Sequence, residues 1–268
     1  MKPIHLLWSG DWIANTDLPL FENRSFLFGD GFFETMRWTN PDDCLLWDYH
    51  WNRIQKSILA LKFPWPTNWD KDHFFEFVSS QLPQNQEKDL RLKIIFFRNG
   101  PGRYAPDSSK IALWFEIESL VSPWIQPIKS IEKSDSVFIS KSHFSWIKST
   151  SALEYVMAGI EKNIRNVDDL VLCTAEGFVV EGSYSSIFWY ADGQLFLPDP
   201  NLGGLQSCMR KFLMHHWDEN KISYSEVKAS WEEIQKADWI GFGCGTGLRF
   251  WLNNSVVVPF YLLPEFGL

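Results

Sequence analysis

Four side chains in this sequence have the type and setting needed for chemistry on an amine. Lys148 sits just ahead of a helical stretch, with Phe144, Trp146 and Ile147 beside it. A lysine there is by default a solvated surface residue, but apolar neighbours desolvate the ammonium, lower its pKa and leave an amine able to form a Schiff base. Residues 242–250, FGCGTGLRF, end a strand and set three glycines around Thr246. Successive backbone N–H groups in such a turn form an anion nest and the threonine hydroxyl adds a donor, although the same letters also fit a plain tight turn. Arg53, on a short helix, is a phosphate ligand if it points inward and a surface charge if it does not. Glu181, in VVEGSYSS, ends an apolar strand. A glutamate there is most often a turn residue; buried, it needs a cationic partner, and a protonated pyridine nitrogen is one.

The elements that must hold these residues follow from periodicity. From Arg24 to Trp38, RSFLFGDGFFETMRW is aromatic and β-rich, and its Gly29-Asp30-Gly31 break marks a bulge or a close backbone approach. DCLLWDYH reads as a short strand. In HWNRIQKSILALKF, Ile54, Ile58 and Leu61 recur at helical spacing, and Pro64 and Pro66 stop the helix. WDKDHFFEFVSSQL predicts a second helix. DLRLKIIFFRN and KIALWFEIES predict strands on either side of the loop NGPGRYAPDSS. The proline content of LVSPWIQP marks a connector at 119–127, which divides the chain into an N-terminal domain, 1–118, and a C-terminal domain, 128–268.

The second half opens with the strand SVFIS and a loop holding His143, Trp146 and Lys148. A helix from about Thr150 carries Leu153, Val156, Met157, Ile160 and Ile164 as a clean apolar stripe. DLVLCT, GFVVEG and SSIFWY predict three short strands, and a helix from about Leu205 carries Arg210. Ser230 and Glu233 have the spacing of a capping box. ADWIGFGCGTGLRFW is a strand running into the glycine-rich turn.

Composition narrows the partners. Against 33 acidic residues stand 25 Lys and Arg, a net charge of −8, and no basic run reverses that balance, which argues against nucleic acid. Fifteen Trp and 22 Phe supply a sizeable core. Cys44, Cys173, Cys208 and Cys244 are far apart with no histidine at ligand spacing, which predicts reduced thiols in a cytoplasmic protein and no metal site. The opening MKPIHLLWSGDW has no apolar run of signal-peptide length, and no stretch approaches the ~18 apolar residues of a membrane span.

Taken together, FLFGDGFFETMR, HWNRIQKSILAL, RNGPGRYAP, IKSTSALEYVMAGIEK, DDLVLCTAEGFVVEGSYSSIFW, LPDPNLGGLQSCMRKFL and GCGTG resemble the class IV aminotransferase superfamily over nearly the whole chain. The resemblance implies an α/β (α+β) fold-type IV enzyme that uses pyridoxal 5'-phosphate. It implies a smaller N-terminal α/β domain, a larger C-terminal mixed, β-barrel-like domain, and the cofactor in the cleft between them. It makes Lys148 the Schiff-base lysine and Glu181 the partner of the pyridine nitrogen. Arg53 becomes the phosphate arginine and Leu205 the residue packed on the cofactor ring, while Ser207, Gly245 and Thr246 become further cofactor contacts. It further implies a small-molecule amino substrate and a homodimer. Two positions depart from the family pattern: Ser185-Ser186 stands where Ser-Asn is frequent, and Ser207 where a glycine usually opens the helix.

The GDGFFET block and the RNGPGRYAP loop are most similar to the lyase branch, the 4-amino-4-deoxychorismate lyases, which release pyruvate and p-aminobenzoate for folate synthesis. Arg103-Tyr104-Ala105 lacks the histidine of the D-amino-acid aminotransferase carboxylate trap. On this resemblance Arg103 is the candidate for the substrate carboxylate, with Arg98 as the alternative and Phe33 lining the substrate site. An aminotransferase of branched-chain or D-amino acids, and a binding protein that has lost catalysis, are the competing readings.

Overall fold

The computed structural model describes residues 4–8, 12–13, 23–39, 43–83, 88–106, 110–253 and 257–266. It divides the chain into two compact units, 1–121 with 147–151, and 122–146 with 152–268. No helix among the described residues is long and apolar enough to cross a membrane.

The first unit is built on an antiparallel sheet in the order β2-β1-β5-β4-β3. Its elements along the chain are β1 (Ile4–Trp8), β2 (Trp12–Ile13), α1 (Arg24–Phe28), β3 (Gly31–Trp38), α2 (Trp47–Leu61), α3 (Lys71–Ser79), β4 (Leu90–Asn99) and β5 (Lys110–Ser119). In β4 the alternation is sharp: Leu90, Leu92, Ile94 and Phe96 are buried while Arg91, Lys93 and Ile95 lie half-exposed on the other face. Aromatic rings fill the buried side. Phe74 of α3 lies 5.2 Å from Trp65, 6.0 Å from Trp47 and 6.1 Å from Phe96 between ring centroids.

Two local readings are overturned in this unit. Residues 24–28 form a helical turn, because Asn23 caps Phe26 N–H and Gly29, at φ 63°, closes the other end in the left-handed region. LLWDYH enters α2 instead of forming a strand: Trp47 is already helical and its indole packs against Phe74 and Trp38. Ahead of the prolines, α2 ends on Lys62, at φ 54°. Arg98 donates to the carbonyls of Leu61 and Lys62 there, a cation at a helix C-terminus.

The second unit holds a mixed sheet in the order β12-β11-β10-β13-β14-β6 and a smaller one in the order β7-β8-β9. In chain order its elements are β6 (Ile125–Ile128), β7 (Ile131–Phe138), α4 (Leu153–Arg165), β8 (Asp169–Cys173), β9 (Val179–Gly182), β10 (Ser186–Ala191), β11 (Gln194–Pro198), α5 (Cys208–Glu219), β12 (Tyr224–Val227), α6 (Trp231–Ile234), β13 (Trp239–Cys244) and β14 (Gly247–Leu252). β6 runs through the proline-containing stretch and pairs in parallel with β14. The capping box of Ser230 and Glu233 is formed in full at α6.

The apolar stripe of α4 is not its buried face. Leu153, Val156, Met157, Ile160 and Ile164 are exposed, while Ala158 is fully buried and Tyr155 packs with the core around Val137, Leu172 and Val180. Polar anchors settle the choice. Glu161 accepts from Ser134 Oγ at 2.7 Å, Asp135 N–H at 2.8 Å and Ser136 Oγ at 2.6 Å, and Arg165 donates to Lys133 O at 2.9 Å. These bonds clamp the opposite side of the helix to β7.

Residues 147–151, though late in the chain, complete the first unit by pairing with the start of β3. Phe33 N–H donates to Lys148 O at 2.8 Å, Thr150 N–H donates to Gly31 O at 3.0 Å, and Phe32 and Ser149 form an antiparallel bridge. Gly31 permits this approach: a Cβ there would lie 2.7 Å from Phe96 O, 2.9 Å from Ser25 Oγ and 3.1 Å from Thr150 Oγ1. Gly31→Ala should therefore strain the junction where β3 meets Phe96 of β4 and Thr150, and lower stability by about 2 kcal/mol, read as a shift in the denaturant midpoint at unchanged slope.

Candidate active site

Lys148 is positioned by this pairing with β3. Its backbone is held by Phe33, and its Nζ lies 4.5 Å from the centre of the Phe33 ring. A second cation reaches the same ring: Lys93 Nζ, from the half-exposed face of β4, is 5.2 Å from its centre. Lys93 carries no motif of its own, since a lysine alternating with buried residues reads as a solvated strand position.

Behind β3, on its other face, Arg53 is buried and fixed by a carboxylate. Glu34 accepts from Arg53 Nε at 2.7 Å and from Arg53 Nη2 at 2.6 Å, and its Oε2 lies 2.6 Å from His50 Nδ1. Glu34 and His50 are fully buried. Burial alone would raise the Glu34 carboxyl; the Arg53 guanidinium and the His50 ring outweigh it and hold the group down at about 2. The fork from Glu34 sets the plane in which Arg53 presents its charge. Glu34 could not be found from the sequence as the partner of Arg53, because it sits at an ordinary strand position in FFETMR.

Of the two candidate substrate arginines, Arg98 is committed elsewhere. Besides the α2 carbonyls it donates to Asp30 Oδ1 at 3.1 Å, and its guanidinium lies 4.4 Å from the Phe63 ring centre. Arg103 is exposed in the loop after β4, of which residues 107–109 lie outside the described residues.

The second unit contains a pocket that gathers Glu181, Leu205 and Ser207, together with Val180, Ser186 and Lys211. Glu181, the penultimate residue of β9, is 4% exposed and is held at both oxygens. Tyr155 Oη donates to Oε1 at 2.6 Å and Leu205 N–H to Oε2 at 3.0 Å. Gly204 lets the 203–205 loop reach this carboxylate, since a Cβ there would meet Val180 Cγ1 at 2.8 Å. Ser207 is the N-cap of α5, its Oγ accepting from Arg210 N–H at 3.3 Å. Ser186 Oγ donates to Gly243 O at 2.9 Å and lies 3.3 Å from Ser207 Oγ, which ties the start of α5 to β13. Gly245 and Thr246 form the two-residue turn beyond it, with Thr246 Oγ1 3.2 Å from Cys244 Sγ. They are not among the residues lining the pocket.

The strand–loop run that follows Glu181 has its own buried support. Asp169, fully buried, accepts from Ser183 N–H at 3.0 Å and Leu170 N–H at 2.8 Å and pairs with Arg249 Nη2 at 2.5 Å. Arg249 also lies 4.2 Å from the Tyr184 ring centre.

Residues 31–251 match the family Amino-transferase class IV. This chain belongs to that family. An aminodeoxychorismate lyase of Bacillus subtilis (strain 168) is 25% identical over 251 residues, covering 91% of this chain and 80% of the relative. A putative 4-amino-4-deoxychorismate lyase from Legionella pneumophila superposes with a TM-score of 0.78 at 22% identity, over 90% of this chain and 89% of that one. The branched-chain amino acid aminotransferase of T.th., complexed with N-(5'-phosphopyridoxyl)-L-glutamate, superposes with a TM-score of 0.79 at 14% identity, over 96% and 90%. The chain is thus a pyridoxal-phosphate enzyme of the class IV fold.

The residues present suit that cofactor. An acceptor-only carboxylate, buried and already oriented by two donors, is the complement of a protonated ring nitrogen. The capped N-terminus of α5, in the same pocket, is the complement of a phosphate.

Folding holds the Glu34 carboxyl below its ordinary 4.5, so its contribution is complete above pH 4.5 and is lost as pH falls toward about 2. Glu34→Gln should cost about 3 kcal/mol at neutral pH and flatten the fall of the melting temperature across that acid window, both measurable by calorimetry.

Proposed function

We propose that this enzyme is a 4-amino-4-deoxychorismate lyase, which expels pyruvate from its substrate and leaves p-aminobenzoate. The observation that carries the reading is the pair of lysine side chains, Lys148 and Lys93, at the Phe33 ring. One serves the amine chemistry; the other, with Arg103 of the RNGPGRYAP loop, suits a substrate bearing two carboxylates. A branched aliphatic side chain has no use for the second cation. The likeness to lyases of Bacillus subtilis and Legionella pneumophila supports the same choice.

Pyridoxal 5'-phosphate supplies an electron sink for charge developing on the substrate carbon. Lys148 Nζ would hold it in the resting enzyme and, when free, would carry a proton from the substrate and back. Glu181 would be the partner of the protonated ring nitrogen. Arg53, Ser207 and the Gly245–Thr246 turn would hold the phosphate, and Leu205 would pack on the ring. Phe33 screens the Lys148 amine from water on one side.

The enzyme acts in the cytoplasm as a homodimer. The exposed stripe of α4 is the surface for a second copy: five apolar side chains along one helix are more than the isolated apolar residues a monomer usually shows.

Purified, cofactor-loaded protein given 4-amino-4-deoxychorismate with no keto acid should release pyruvate and p-aminobenzoate in equal amounts, and Lys148→Ala should release neither. A yellow wild-type protein that makes no p-aminobenzoate, but exchanges amino groups between an amino acid and a keto acid, would establish the aminotransferase instead. Val156→Glu with Ile160→Glu should halve the mass in sedimentation equilibrium; an unchanged mass removes α4 from the interface.

A further inference from the structure

Tyr155 lies seven residues after Lys148, on the buried side of α4, and no motif points to it. Its ring packs in the core formed by Val137, Ile139, Leu172 and Val180, so the direction of its hydroxyl is fixed by packing. That hydroxyl donates to Glu181 Oε1 at 2.6 Å, while Leu205 N–H donates to Oε2 at 3.0 Å. Burial pushes the phenol far above its usual range and the Glu181 charge adds to the effect, so Tyr155 stays a donor at any working pH. These two donors are neutral. They stabilise the carboxylate as an anion and fix its plane without cancelling its charge, as an arginine in the same place would.

We propose that Tyr155 is a positioning residue for the Glu181 carboxylate: its hydroxyl sets the orientation and basicity with which Glu181 meets the ring nitrogen of the cofactor. The proposal rests on the assignment of Glu181 to that nitrogen. Without the hydroxyl, Oε1 keeps its burial and loses a donor. The carboxylate becomes a stronger base, competes for the proton it is meant to leave on the ring, and loses its fixed plane.

Tyr155→Phe preserves the packed ring and removes only the donor. Three quantities are to be measured on Tyr155→Phe, Glu181→Gln and the double variant: equilibrium affinity of the apoprotein for pyridoxal 5'-phosphate, the pH dependence of the visible band of the loaded resting enzyme, and thermal stability of the apoprotein. Tyr155→Phe should weaken cofactor binding about tenfold, the loss of one hydrogen bond to a charge, and should move the midpoint of the spectral titration. Turnover should show a lower kcat at little-changed KM. In the Glu181→Gln background the same substitution should leave affinity and titration midpoint unchanged, because its target is gone. Tyr155→Phe with wild-type affinity and titration, while Glu181→Gln alters both, overturns the role of Tyr155 and leaves that of Glu181 standing. Both variants behaving as wild type overturns the two together. Equal losses from Tyr155→Phe with and without Glu181 would mean that Tyr155 acts by packing alone, which also overturns the proposal.

Discussion

The antiparallel pairing between β3 and the residues around Lys148 is the contact on which the first unit's chemistry depends. A helix-preceding lysine has a long, mobile side chain; its usefulness lies in where the backbone delivers it. Here the Phe33–Lys148 and Gly31–Thr150 hydrogen bonds join residues more than a hundred positions apart, and they place the amine over an aromatic ring. The contact tolerates little variation, because Gly29 and Gly31 both stand where a side chain would strike the arriving segment or its surroundings. The Gly-Asp-Gly break in the aromatic run is therefore the imprint of a distant part of the chain.

Both units bury charge, and both do so in compensated form. Glu34 balances Arg53 behind β3, with the His50 ring against its second oxygen, and Asp169 balances Arg249 behind the loop after Glu181. A buried ion pair contributes little net stability over an apolar packing of the same volume, but removing one partner strands the other. What such pairs supply is direction. The plane of the Arg53 guanidinium and the course of residues 182–185 are set by carboxylates that touch no solvent.

The sequence made some of this legible. The recurrence of Ile54 and Ile58, the alternation through β4 and the capping box at Ser230 all correspond to formed elements, because each depends on neighbours in the chain. Where tertiary packing decided, the letters misled. RSFLF has the composition of a strand and becomes a helical turn between the Asn23 and Gly29 caps. The α4 stripe has the spacing of a core face, yet Glu161 and Arg165 fasten the other side of the helix. Glu181 and Ser207 were readable from the family's blocks and share one pocket. Glu34, Lys93, Tyr155 and Asp169 were not, since each acts through a partner that only the fold brings near.

Ser186 and Ser207 are in contact, their hydroxyl oxygens 3.3 Å apart and both nearly closed to solvent. Asparagine in place of Ser186 would crowd the start of α5 beside an unchanged Ser207, and glycine in place of Ser207 would leave a hole beside Ser186. The two side chains fill one space, so each position limits what the other accepts.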